Sequence, residues 1–153
     1  MGKQVIEGVA GLKAIVGKEL EPSPWQTLKF EDIKLFADAT GDHQWIHVDR
    51  ERAKKESPFK APIAHGYYTL SRVAGLSLDM MEMKGFKGAI NYGMNKVRFP
   101  APMREGVQYR LKMAIESVTE VPGGVESIFK ATMEMKDEPK PSLVAEVVFR
   151  YFL

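Results

Sequence analysis

Three histidines are present in the 153-residue chain, and all of them, His43, His47 and His65, fall in the stretches flanking one long apolar segment. No other side chain titrates near neutrality, because the chain has no cysteine, so acid–base chemistry at pH 7 must centre on these imidazoles or on a carboxylate beside one. Asp42 and His47 form the pair best placed for it. They flank a short turn after a helix ends, where their side chains can converge on one small target, and a carboxylate beside an imidazole positions and deprotonates a water. Bland readings exist: Asp42 as a helix-exit residue bonding its own turn, and His47 as a cap or a partner of Asp49. Neither accounts for both residues together.

A second candidate lies at His65-Gly66, where the chain enters the long apolar segment. The first N–H groups of a helix lack internal acceptors and carry the positive end of its dipole, so a carbonyl or a developing enolate would be stabilised there. Gly66 would let that group approach the backbone closely. The plain alternative is a flexible entry to the helix. His43 and His47 stand at i and i+4, the spacing of a helical metal pair, but Gly41 ends the preceding helix and the glutamate of the HExxH motif is absent, so no metal is expected. Gly85, Gly88 and Gly93 lack the lysine and hydroxyl of a phosphate loop, and the methionines read as core filler.

The elements that must hold these residues follow from periodicity. Val5, Val9, Leu12, Ile15 and Val16 suggest a short helix within 5–20, weakened by glycines. Phe30, Ile33, Phe36 and Ala37 make one face of a helix with Thr27 as its N-cap, Glu31 and Asp32 in its first turn and Gly41 at its end. From 42 to 47 no helical pattern is seen. A short solvated helix capped by Asp49 runs up to Ser57-Pro58. The segment 67–83 is apolar nearly all round, which predicts a buried helix. Beyond Gly88 the period becomes two: Ala89 to Phe99 is a strand stopped by prolines. Val107, Tyr109, Leu111, Met113 and Ile115 alternate with polar neighbours. A Pro122-Gly123-Gly124 turn then leads into Val125 to Met135, and a last strand runs from Leu143 to Leu153. Helices first and antiparallel strands after them predict an α+β fold.

Composition sets the outer limits. The chain is 44% hydrophobic and 27% charged, which suits one globular domain. Its formal net charge of +2, with no run of like charge, is too weak for a nucleic-acid footprint. No signal-peptide stretch or membrane-length apolar window is visible, so a cytoplasmic protein without membrane contact is expected. A core of this size, with one sheet face uncovered by helices, predicts that a second copy covers part of it.

The run from Phe36 to Asp49, FADATGDHQWIHVD, followed by SPFKAPIAHG from Ser57 to Gly66, resembles the hydratase motif of MaoC-like (R)-specific enoyl-CoA hydratases, including the nodulation protein N-like branch. NYGMNKVRFPAP, from Asn91 to Pro102, is similar to that branch as well. The resemblance implies a single hot-dog domain over 1–153, with the motif at 36–66, a central helix over about 66–83 and an antiparallel sheet over about 89–153 that wraps it. It implies a homodimer. It also implies that Asp42 and His47 hold a water, that the Gly66 N–H meets a thioester carbonyl, and that the reaction is reversible syn hydration of a trans-2-enoyl-CoA to a (3R)-hydroxyacyl-CoA, with no metal or redox cofactor. Gln44 and Trp45 replace the Asn and Pro usual in the motif, and Gln44 can still offer an amide one methylene further out. Gln44 and His65 are therefore expected to support the pair. Lys96 and Arg98, or the cluster Arg52, Lys54 and Lys55, are the cations available to coenzyme A phosphates. A hot-dog thioesterase and a non-catalytic acyl-thioester-binding protein are the rival readings.

Overall fold

The computed structural model describes residues 2–153. Alternation in the C-terminal half builds a five-stranded antiparallel sheet from β2 (Gln26–Thr27), β4 (Gly88–Arg98), β5 (Gln108–Val121), β6 (Gly124–Met135) and β7 (Leu143–Phe152), in the spatial order β2-β5-β6-β7-β4. Tyr109, Leu111, Met113 and Ile115 of β5 lie opposite Met135, Met133, Ala131 and Phe129 of β6, and all eight are buried on one face. The sheet curls around α5 (Gly66–Met80), which buries Tyr68, Val73, Leu76 and Met80 against that face. The order and the wrapped helix are those of an α+β hot-dog.

Turn chemistry fixes the register. β5 and β6 join at Val121↔Gly124, with Gly123 at φ +80°, a conformation open to glycine at little cost. A Cβ on Gly124 would lie 2.0 Å from the Tyr151 carbonyl oxygen, so only glycine lets β7 close over the hairpin.

Several details of the elements differ from the expectations. The stretch 5–20 is not one helix: β1 (Gln4–Glu7) precedes α1 (Gly8–Ala14), because Gly8 sits at φ +62° and breaks the chain direction. The central helix stops at Met80, and Met81–Lys84 becomes β3, paired in parallel with β1. Thr27 is a β2 residue and not a cap; α2 (Phe30–Thr40) starts from Lys29 without a side-chain cap. Within 42–47, a stretch without helical periodicity, a four-residue helix appears, α3 (Trp45–Val48). α4 (Arg50–Glu56) is capped as expected, its Asp49 carboxylate accepting from the Arg52 N–H at 3.0 Å.

Nor is α5 buried all round. Tyr67 and Leu78 are 72% and 65% exposed, and Ile90 and Tyr92 of the edge strand β4 are 46% and 55% exposed. Apolar side chains are therefore exposed both on α5 and on the edge strand. No helix among the described residues is long and apolar enough to cross a membrane.

Candidate active site

Helix α2 ends where it does because Gly41 takes the left-handed conformation at φ 82° and its N–H bonds the Ala37 carbonyl at 2.8 Å. Asp42 is thereby set outside the helix with a half-exposed carboxylate. One oxygen, Oδ1, accepts from the Gln44 N–H at 3.3 Å, and the other, Oδ2, lies 4.0 Å from His47 Nε2. One oxygen thus bonds its own turn and the other faces the His47 ring. Helix α3 then turns His47 inward, where it is 6% exposed.

His47 has a fixed tautomer. Its Nδ1–H donates to the Ile63 carbonyl at 2.7 Å, which leaves Nε2 with a free lone pair on the Asp42 side. Helix α3 and the loop of Ile63 are clasped by the Ile63 N–H bonding the Ile46 carbonyl at 3.1 Å. Burial lowers the His47 pKa and the neighbouring His65 lowers it further, against the raising effects of the Ile63 hydrogen bond and the Asp42 charge. The ring is therefore held neutral, in the form a base requires.

His65 stacks on His47 with centroids 3.8 Å apart and planes at 21°. Its other side meets the Phe36 ring at 5.0 Å. His65 Nε2–H donates to the Asp42 backbone carbonyl at 2.9 Å, and its buried Nδ1 has no hydrogen-bond partner. His65 thus ties the Asp42 backbone to the His47 ring. Asp42, His47 and His65 come close enough together to raise the question of a metal ion. Stacked imidazoles hold their lone pairs in two near-parallel planes, here with ring centroids 3.8 Å apart, which do not meet on one ion in the tetrahedral manner such sites require.

A cavity of about 310 Å³ lies beside the pair, walled by His47, Ile63, Gly66, Thr69, Phe99 and Met103 among others. Gly66 opens α5, so its N–H has no acceptor within the helix. A Cβ there would press on the Phe99 ring at 3.3 Å. The imidazole and the helix N-terminus thus share one small, mostly apolar chamber.

The remaining candidates lie outside it. Gln44 supports Asp42 through its backbone N–H, while its amide side chain is exposed. His43 turns away to pair with Asp38 at 2.9 Å. Lys96 and Arg98 are exposed on β4 and wall no part of the cavity, although Arg98 adjoins Phe99. Arg52 is committed to Glu56 at 2.9 Å and to the face of Trp45. Thr69, Phe99 and the Phe36 contact to His65 were not signalled by sequence. Thr69 follows Gly66 by one helical turn, a spacing that could have placed it beside the donor.

Comparison with known proteins places the chain in a family. Residues 12–134 match the model of the MaoC like domain family. The chain is 46% identical over 149 residues to the 3-hydroxyacyl-thioester dehydratase Z of Mycobacterium tuberculosis, covering 97% of this chain and 98% of that one. It is 37% identical over 140 residues to Nodulation protein N of Rhizobium leguminosarum, covering 90% and 86%. Among solved structures, the unliganded R-hydratase PhaJ1 of Pseudomonas aeruginosa superposes with a TM-score of 0.69 at 20% identity, over 89% of this chain and 81% of that one, which supports the fold. With most of its length matched by the family model and nearly all of it by a relative, the chain belongs to the family of MaoC-like domains.

Proposed function

We propose that this protein is a hydro-lyase acting on acyl thioesters, adding water reversibly and syn across a trans-2-enoyl-CoA to give the (3R)-hydroxyacyl-CoA. The observation that carries the reading is the fixed tautomer of His47: Ile63 holds its Nδ1–H and frees Nε2 beside Asp42, in a chamber that ends on the Gly66 N–H. At 4.0 Å, Asp42 Oδ2 and His47 Nε2 are too far apart for a direct hydrogen bond yet suited to grip one water between them.

The thioester oxygen accepts from the Gly66 N–H at the positive end of α5, which draws electron density from the β-carbon. The water oxygen bonds to that carbon as the C=C π pair moves toward the α-carbon and the carbonyl. The water's proton passes to the Asp42/His47 pair and from it to the α-carbon on the same face, so the pair ends as it began. The two groups titrate as a unit, and the proton belongs to the pair. Every step is an addition or a proton transfer and balances without an electron acceptor. The similarity to a 3-hydroxyacyl-thioester dehydratase supports the same reaction run in reverse.

Lys96 and Arg98 are proposed to meet the phosphates of the thioester's carrier, being exposed cations on the strand that leads to Phe99. The active form is proposed to be a homodimer. Crotonyl-CoA incubated with the protein tests the activity: enoyl absorbance should fall without release of thiol. Asp42→Asn and His47→Ala should each lower the rate by about 10²-fold or more. Thiol release without enoyl loss, or either variant within tenfold of the parent, would overturn the reading.

A further inference from the structure

A second cavity, of about 720 Å³, opens among β2, α2 and α5, and Asp42, His47 and Gly66 are not among its walls. Tyr68, Arg72 and Tyr109 meet there. Tyr109 and Tyr68 are 1% and 8% exposed, and their hydroxyl oxygens stand 3.3 Å apart. Arg72 Nε donates to the Tyr109 oxygen at 3.2 Å.

Counting protons exposes an imbalance. The two hydroxyls supply two protons, and the bond between them uses one, whichever way it points. The other O–H has no acceptor among the described residues. Among the described residues, neither terminal nitrogen of the half-buried Arg72 is engaged in an ion pair, and Asp32, the acid on the wall, acts on it only through its field. Burial, and then the bond to Tyr109, pushes the Tyr68 pKa up, so its proton stays in place. Lys29 adds another cation at the wall. A buried donor set this short of acceptors calls for an acceptor from outside, and a planar guanidinium beside a hydroxyl suits a carboxylate. Away from the donors, the cavity is walled by Trp25, Leu35, Phe36 and Ala39.

We propose that this cavity binds a monocarboxylate with an apolar tail, its carboxylate on Arg72 and the free tyrosine hydroxyl and its tail against Trp25, Leu35 and Phe36. Phe36 is also the ring that packs on His65, so an occupant would touch the support of the catalytic stack while leaving the thioester chamber open.

Calorimetric titration with octanoate tests the site. One equivalent should bind saturably, and about tenfold or more of the affinity should disappear in Arg72→Leu, the scale of losing a charge-assisted hydrogen bond. Arg72 is half-buried, so a second variant guards against misfolding: Ala39→Trp, at an exposed position on α2, fills the cavity and should weaken octanoate as much. In a Trp45→Phe protein the only indole left is Trp25, and its emission should follow the same binding curve. Octanol and inorganic phosphate should each bind at least about tenfold more weakly than octanoate, since each supplies half of the recognition. The proposal fails if octanoate does not bind, if both cavity variants bind it as the parent does, if Trp25 emission is unmoved, or if octanol or phosphate binds as well.

Discussion

At the scale of single residues, the site turns on which proton His47 carries. Its pKa lies below the ordinary histidine value of about 6.5, chiefly because the ring is buried and then because His65 stacks on it. The unfolded chain therefore binds a proton before the folded one does. This contribution to stability is full above about pH 6.5 and is lost as pH falls from there through the folded-state value. Exposed His43, its pKa raised by Asp38, contributes in the opposite sense, so the useful quantity is a difference: urea midpoints at pH 7.5 and 5.5 should drop more for the parent than for His47→Gln. On the same grounds, kcat/KM for hydration should stay flat on acidification past the ordinary histidine pKa before an acid limb appears. Lys96→Ala and Arg98→Ala should raise KM for the thioester several-fold with kcat little changed, as expected where only uniform binding of the carrier is lost. As candidates, Asp42, His47 and Gly66 are legible in sequence because the proposed chemistry restricts residue type. Ile63 is not, since its part is played by a backbone carbonyl that any residue carries, and Phe36 beside His65 is a contact made by folding.

At the scale of elements, alternation reads correctly in β5, β6 and β7, which follow one another both along the chain and across the sheet. Tyr109 to Ile115 and Val125 to Met135 show their buried face directly, because β5, β6 and β7 pair consecutively. Met81 and Met83 extend the apolar pattern of α5 without a break, and what takes them into β3 is β1, some eighty residues away, which no local pattern reveals. The four-residue α3 is too short to show a period, yet it is the element that turns His47 inward. The hairpin between β5 and β6 carries a prediction of its own. Gly124→Ala would drive a methyl group to 2.0 Å from the Tyr151 carbonyl oxygen, and backbone cannot retreat as a flexible side chain can. A loss of about 3 kcal/mol or more is expected, at the upper end for single substitutions, seen as a lowered denaturant midpoint. Gly123→Ala changes only a positive φ in open space and should cost about 1 kcal/mol.

At the scale of the whole molecule, the question is what covers the outward face of α5 and β4. Tyr67 and Leu78 on the helix and Ile90 and Tyr92 on the strand are exposed, and Leu78 and Ile90 share a cavity of about 560 Å³ with Met81, Met83 and Tyr151 among others. β4 is the end strand of the sheet, so one row of its backbone groups is unpaired. Long edges with apolar neighbours invite pairing and are seldom left open in a soluble protein. A second copy of the chain offers the same edge and the same cavity, and a two-fold axis beside β4 would join the sheets and cover Leu78 and Ile90 of both copies at once. In such an isologous contact each substitution enters twice. Ile90→Lys or Leu78→Lys would place a pair of like charges in one desolvated seam, without a partner and close to each other. Either variant should sediment as a monomer at concentrations where the parent is a dimer, while Lys84→Glu, an exposed charge change on β3, should leave the mass unaltered. A parent that sediments as a monomer throughout would remove the two-fold arrangement. If Ile90→Lys separates the protomers and also lowers turnover with Asp42 and His47 intact, the thioester chamber is shaped in part by the partner, and the two losses should share one concentration dependence.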